Sequence, residues 1–281
     1  MPFNQPLIGS QLVGILLNTY RAILFHSRTG WEIFAALVIP SFLAAGGLII
    51  KSHHVNPMTG HHARNASEIA EEQQNESVFQ AYLDRMTELL LKENLRDSKM
   101  GSEIRSIARA RTITTLLTQD PIRKGKLLRF LFETNLNNKE NNILDLSYAD
   151  LSRADLVGAY LIQANLDRAF LSGSDLSRSN LVGVNLVEAD LREASLNDAH
   201  LSRANLSRAD LTGADLRKAF LIGANLNGAN LSGADLRGAN LRDAKVTEDQ
   251  LSEAKSLEGA IMPDGKNLGS RFAGYLEYSN F

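Results

Sequence analysis

The chain has 281 residues, enough for one or two domains, and its formal net charge of −2 gives no sign of a general affinity for nucleic acid. It contains no cysteine, which excludes disulfides, thiolate nucleophiles and cysteine-ligated zinc. Hydrophobic residues make up 44% of the sequence but aromatic residues only 6%, so a core would be built mainly from aliphatic side chains.

The N-terminal region, residues 1–51, predicts attachment to a membrane. Residues 33–50 are an uncharged run of 18 residues between Trp31 and Lys51, and they predict a transmembrane helix over about residues 31–50. Residues 7–25 are apolar but carry polar interruptions, which favours an interfacial amphipathic helix, with a second span as the alternative. Membrane lipid is therefore the first predicted partner, and a single-pass protein is the expected topology, with a two-pass protein as the alternative.

The next two segments are predicted as a polar linker, residues 52–66, and a helical connector, residues 67–140. Asn65 and Glu68 have the spacing of a capping box at the start of a helix. Apolar residues then recur every three or four positions as far as Leu90, which is typical of an amphipathic helix.

Two more helices are predicted in the connector, one from near Ser102 and one from the pair Asp120–Pro121. The last is expected to cap the N-terminal end of the domain that follows. Residues 99–129 contain eight basic and two acidic residues, which favours a place near the anionic cytoplasmic leaflet and hence a cytoplasmic body. We interpret Arg105, Arg109 and Arg111 as part of a solvent-exposed basic surface.

A five-residue repeat dominates residues 141–245. Leucine stands at every fifth position from Leu146 to Leu241, twenty times, and alanine stands two positions earlier in sixteen of these units. Asp or Asn separates the two residues in fifteen units, as in ADLSR and ANLNG.

A period of five suits neither regular element. An α-helix has about 3.6 residues per turn, and a flat strand would turn successive leucines to opposite faces because five is odd. All the leucines point inward only if the chain turns a corner in every unit. Alanine and leucine then share the interior, and the intervening Asp or Asn and the next two residues lie outside.

This pattern resembles the pentapeptide-repeat family, in which four units make one turn of a right-handed, square β-helix. The resemblance implies a mainly β fold, a right-handed quadrilateral β-helix preceded by an α-helical connector and an N-terminal transmembrane helix. Twenty units would give five coils, about 24 Å long at a spacing of about 4.8 Å. Residues 246–281 would form a C-terminal cap and tail. Segments that resemble a membrane-anchored cyanobacterial subgroup are Tyr82–Met86, Ala108–Thr112 and Met262–Gly265.

One face of such a solenoid stands out as a possible partner surface. With twenty residues in each coil, residues 20 apart stack, and three of the five departures from Asp or Asn fall in one column beside a column with three aliphatic residues. Exposed apolar patches often mark contacts with protein or membrane. Sequence drift, or burial under a cap or the tail, is the alternative. The predicted face consists of Tyr160, Ile162, Val182, His200, Phe220 and Ile222.

No catalytic, cofactor-binding or metal-binding residue is predicted, and the chain is not expected to be an enzyme. The Asp residues would lie on a convex shaft, whereas catalytic carboxylates need a concave, pKa-shifting setting. His53, His54, His61 and His62 lie in the predicted linker without a nearby acidic ligand, so a solvated linker is favoured over a metal site.

The predicted function is a membrane-tethered scaffold or protein-binding module with an unidentified protein partner. A DNA-mimicking regulator of a topoisomerase-like enzyme is the alternative that the resemblance implies for some family members. Residues 145–244 carry 13 acidic and 10 basic residues, so mixed charge disfavours mimicry, and no nucleic-acid partner is expected. End-to-end association into a homo-oligomer is a further alternative.

Overall fold

The computed structural model describes residues 60–136 and 144–267 of the chain. The chain divides into two units, Met1–Glu71 and Glu72–Phe281, and of the first unit only the start of a helix is described. All contacts given below lie within the second unit.

The predicted transmembrane helix and the predicted interfacial helix both lie outside the described residues. Within the part of the chain that the structure describes, no helix is both long enough and apolar enough to cross a membrane.

Three helices precede the repeats: α1 is Gly60–Leu91, α2 is Glu103–Thr118 and α3 is Pro121–Glu133. A short 3₁₀ turn, Leu95–Asp97, lies between α1 and α2. Their mutual packing buries one face of each helix, as the apolar spacing predicts. The buried residues of these faces include Phe79, Tyr82, Met86, Leu89, Ile113, Leu116, Leu127, Leu128 and Leu131.

The helix starts agree with the sequence at α2 and α3 but not at α1. Ser102 is the N-cap residue of α2, and Asp120 caps α3 by accepting hydrogen bonds from two backbone amides at 2.9 Å. Helix α1 begins at Gly60, inside the segment predicted as a linker, so the prediction of Asn65 as its N-cap is wrong. Ala63 and Arg64 are good helix formers and allow the earlier start.

Arg123 joins α3 to α1 through two carboxylates of α1 and also bonds the N-cap carboxylate of its own helix. Its guanidinium donates to Glu72 at 2.6 Å, to Glu76 at 2.8 Å and also to Asp120. The Arg123 side chain is only 9% exposed. Hydrogen bonds from Arg123 hold the pKa of Glu72 below its usual value, and Gln80 and then Arg123 lower the pKa of Glu76 in the same way.

Acid should therefore destabilise the contact between α1 and α3. A carboxyl whose pKa is lower in the folded chain contributes stability above its unfolded pKa of about 4.3, and that contribution is lost as the pH falls through the folded pKa. Thermal unfolding should thus show a fall in Tm between about pH 6 and pH 3 that Arg123→Met reduces. Arg129→Met is the control because that side chain is 79% exposed on the same helix. An unchanged pH dependence in Arg123→Met would contradict the assignment.

Each repeat unit is a tight turn followed by one bridging residue. In the unit that begins at Leu151, the Ala154 amide donates to the Leu151 carbonyl at 3.1 Å, and Arg153 has a φ of 57°. A positive φ at the third position is the mark of a type II turn. All twenty units have a positive φ there, eight at glycine and twelve at other residues. The corner that the five-residue period predicts is therefore present in every unit.

Parallel bridges join residues 20 apart and define the four sides of a β-helix. We number the sides by their bridging columns: side 1 contains Asn165, side 2 Asp150, side 3 Asp155 and side 4 Tyr160. The predicted four units per coil are confirmed. The β structure consists of isolated bridges, however, and the described residues contain no longer strand. The expectation of a mainly β chain is corrected to that extent, because each side has one bridging residue between successive turns.

The interior of the β-helix is a stack of leucine and small residues. All twenty repeat leucines are at most 1% exposed, and almost every alanine two positions earlier is buried as completely. Ser174, Ser179 and Val184, which replace alanine in three units, are also buried. The inward placement of both positions is confirmed.

Helices α2 and α3 cover the N-terminal edge of the first coil. Arg109 donates from Nε to the carbonyl of Asp145 at 2.8 Å, and from Nη2 to the carbonyl of Ser147 at 2.9 Å. The buried Lys124 ammonium donates to the Asp150 carboxylate at 3.2 Å. These cations supply donors to coil atoms that have no preceding coil to bond.

The interpretation of the connector arginines as a solvated surface is wrong for Arg109, which holds the cap to the coil. Arg105 likewise donates to Ser98, and Arg123 is enclosed by carboxylates. With Lys124, four of the eight basic residues in 99–129 are thus used in internal contacts, and the charge argument for an anionic leaflet loses much of its basis.

The C-terminal end of the described solenoid contains a short helix, α4, Glu248–Ser252. The side-chain amide of Gln250 donates to the carbonyls of Leu226 and Ala229, both at 2.7 Å, in the place of a further coil. The coil then resumes, with bridges from Asp235 to Ser256 and from Asn240 to Ile261, a step of 21 residues rather than 20.

Candidate partner-binding surface

Side 4 brings the predicted surface residues together. Bridges connect Tyr160 to Asn180, Asn180 to His200, and His200 to Phe220, so these side chains form one column along the shaft. Tyr160 is 53% exposed and Phe220 is 39% exposed, and His200 is also exposed. The predicted column therefore exists and faces outward.

The neighbouring column lies at the corner that follows side 4. Ile162 is 38% exposed, and Val182 and Ile222 are partly exposed. Type II turns hold these residues at the second turn position, which directs their side chains away from the leucine stack.

Aromatic contacts reinforce both ends of the column. The rings of His200 and Phe220 stack with centroids 4.7 Å apart and an interplanar angle of 28°. Phe132 of α3 stacks on Tyr160 with centroids 5.0 Å apart and an angle of 21°. Stacked pairs of this kind restrict side-chain rotation, so the surface is partly preorganised.

The apolar surface continues past the first coil onto α3. A groove of about 310 Å³ lies between α3 and the first coil, and Val157, Phe132 and Tyr160 line it. Ten large hydrophobic side chains are exposed among the described residues, and six of them lie on side 4 or beside this groove. These six are Ile122, Phe132, Val157, Tyr160, Ile162 and Phe220.

Sequence reasoning missed the contribution of α3 to this surface. Ile122 and Phe132 are exposed on α3, although Phe132 follows the buried Leu128 by four positions and therefore has the spacing of the packing face. Val157 was visible, as an aliphatic residue directly after a repeat leucine. The approach of α3 to side 4 depends on tertiary packing, which the repeat pattern does not encode.

Side 1 is polar and is bonded along the shaft. Asn185 donates to the side chain of Asn165 at 2.7 Å, which extends an amide ladder from one coil to the next. At the adjacent corner, Arg168 donates to Glu188 at 2.8 Å, and Arg208 donates to Glu188 at 3.1 Å. These hydrogen bonds hold the pKa of Glu188 below its usual value.

Several acidic residues on sides 2 and 3 are paired with neighbouring arginines. Arg217 donates to Asp215 from Nε at 2.8 Å and from Nη2 at 2.6 Å, and it lowers the pKa of that carboxyl. Asp190 with Arg192 and Asp235 with Arg237 repeat the arrangement. Side 4 thus differs from the other three sides in its exposed aromatic and aliphatic column.

A four-sided β-solenoid with helical end contacts belongs to the class of solenoid repeat proteins. The model of pentapeptide repeats matches residues 145–183, 171–208, 185–221 and 204–243, with eight copies. This chain belongs to the pentapeptide-repeat family.

Several solved structures of family members are similar to the chain. HetL, involved in the regulation of heterocyst differentiation in the cyanobacterium Nostoc sp. strain PCC 7120, is 35% identical over 44% of this chain and 68% of HetL, with a TM-score of 0.32. A pentapeptide-repeat protein of the Arabidopsis thaliana thylakoid lumen is 31% identical over 44% of this chain and 83% of its own, with a TM-score of 0.25.

QnrB1, a plasmid-mediated fluoroquinolone resistance protein, is 16% identical over 40% of this chain and 60% of its own, with a TM-score of 0.28. No protein of curated function matches the chain. Membership of the family therefore follows from the repeat sequence and from the relatives above 30% identity.

Proposed function

We propose that the solenoid is a non-enzymatic protein-binding module whose contact surface is side 4, and that an N-terminal helix tethers it to a membrane. The observation that carries the proposal is the exposed column from Tyr160 to Phe220, which contrasts with the mainly polar columns of the other sides, where Phe170 on side 2 is partly buried. Large aromatic side chains in partly fixed positions are the residues that most often dominate protein interfaces.

DNA mimicry is the second candidate function, and charge pairing argues against it. A mimic needs an uninterrupted anionic surface, whereas arginines are bonded to Asp190, Asp215 and Asp235. Arg168 and Arg208 flank Glu188 on the corner column that follows side 1.

Two aspartates on side 4 should remove its partner. In proximity labelling in the native cell, we expect Phe220→Asp with Ile222→Asp to deplete a defined subset of labelled proteins about tenfold, because a charge replaces an apolar contact worth at least about 1.4 kcal/mol. The control is Asn227→Asp with Asn230→Asp, which adds the same charge at exposed positions on sides 1 and 2. An identical partner list for both variants would remove side 4 from the proposal.

The tether is tested in the same cells. Full-length chain should remain with carbonate-washed membranes, since a spanning helix of about 20 apolar residues resists extraction. Recovery of the chain in the soluble fraction would contradict the tether and leave the proposal for side 4 standing.

A further inference from the structure

The order of side chains along side 4 is similar in both directions, because an aromatic residue lies at each end of its column. Four successive coils carry Tyr160, Asn180, His200 and Phe220 in the bridging column. If a second copy lies against this side with its shaft reversed, Tyr160 faces the partner's Phe220. In the corner column, Ile162 faces the partner's Ile222, so apolar groups meet at both ends.

Under the same reversal, each large side chain of the next column lies opposite a glycine of the partner. In the column that follows Ile162, the order is Gln163, Gly183, Arg203, Gly223. Reversal places Arg203 over the partner's Gly183, and Gln163 over the partner's Gly223. On the other corner of side 4, reversal places Lys218 over the partner's Gly158, which has open space around its Cα.

Charges on that same corner column are complementary under the same reversal. Arg178 and Asp198 occupy successive coils, and reversal brings each Arg178 opposite the Asp198 of the partner subunit. Val157, which is 51% exposed, faces the aliphatic stem of the partner's Arg217. Five columns of side 4 and its two corners therefore share one register.

We propose that side 4 binds a second copy of this chain in an antiparallel arrangement, about a two-fold axis between the coils of Asn180 and His200. An isologous interface must be self-complementary about its axis, and the aromatic, glycine and charge positions meet that condition together. The inference rests on the proposed function in that it names the occupant of side 4. It differs from end-to-end association, in which α3 and Gln250 would have to leave the coil edges that they occupy.

Engineered cysteines test the register directly, because the chain has none of its own. Within one chain, positions 162 and 222 are three coils apart, about 14 Å at a spacing of about 4.8 Å. A disulfide needs Cα atoms no more than about 7 Å apart, so Ile162→Cys with Ile222→Cys can bridge only between chains. Oxidation of the full-length double variant in lysate should convert most of the chain to a dimer on a non-reducing gel.

The matched control is Ser172→Cys with Ser232→Cys, which occupies the equivalent column on side 2 with the same three-coil separation. The single variants Ile162→Cys and Ile222→Cys are also expected to stay monomeric, since neither faces itself across the axis. Equal dimer yields from the side 2 pair, or no dimer from the side 4 pair, would overturn the proposal.

A charge reversal keeps the test independent of cysteine chemistry. On the background of Ile162→Cys with Ile222→Cys, Arg178→Asp should reduce the dimer yield severalfold because two aspartates then face the partner's Asp198 residues. Adding Asp198→Arg should restore the yield. Failure of restoration would overturn the register. If side 4 binds another protein instead, the cysteine pair gives only monomer while Phe220→Asp with Ile222→Asp still depletes labelled proteins other than this chain.

Discussion

Replacing Leu201 with alanine should lower the free energy of unfolding of the solenoid by about 2–5 kcal/mol. Leu201 is fully buried in the third coil, between leucines that occupy the same place in the coils on either side. Truncation leaves a cavity that neighbouring coils cannot fill, because backbone bridges such as that from His200 to Phe220 hold them at a fixed spacing.

Urea unfolding followed by circular dichroism measures this effect. Ser202→Ala is the control, since it makes a change next to Leu201 on the outside of the same turn and should alter stability by less than about 0.5 kcal/mol. Solenoid stability depends on contacts between neighbouring repeats, so the loss at a central coil is expected to exceed that of the same change at Leu241. A loss below about 1 kcal/mol at Leu201 would show that the leucine stack is not the core.

Replacing Gly125 with valine should detach α3 from the first coil. A Cβ at Gly125 would lie 2.1 Å from the carbonyl oxygen of Asp155, a backbone atom that cannot rotate out of the way as a side chain can. Helix α3 must then move, and the contact of Lys124 with Asp150 and the bond from the Asp155 amide to the Pro121 carbonyl are weakened. We expect a loss of about 3 kcal/mol in stability.

Hydrogen exchange locates that loss. Amides of α3 and of the first coil should exchange faster in Gly125→Val, while those of the third and fourth coils keep their protection. Lys126→Val is the control, because it places the same β-branched residue at the next, exposed position of the helix. Equal exchange in the two variants would mean that the close approach at Gly125 is not required.

The sequence alone was sufficient to predict the β-helix. The strict spacing of leucine with alanine two positions earlier predicts the corner in each unit, the inward columns and the stacking of residues 20 apart, and it placed Tyr160, His200 and Phe220 on one side. Such repetition is informative because every unit repeats the same local constraint. The absence of longer strands in the described residues did not follow from it, since the period does not reveal how few residues remain between successive turns.

The ends of the shaft could not be predicted in the same way. Arg109, Lys124 and Gln250 each act once, through long side chains that satisfy backbone groups distant in sequence. Their residue types carry no local signal for these roles, and Arg109 was misread as solvated for that reason. Phe132 joined the candidate surface only because α3 packs beside side 4.

The turn geometry fixes the steps by which this molecule can change in length. Adding or removing one five-residue unit would rotate everything beyond it by a quarter turn, and Phe220 would leave the column of Tyr160. Adding or removing twenty residues would preserve all four columns and alter only the height of the shaft. In the described repeats, the coil that contains α4 has one extra residue, because Asp235 pairs with Ser256 rather than with residue 255. The extra residue is therefore accommodated near the C-terminal end of the columns.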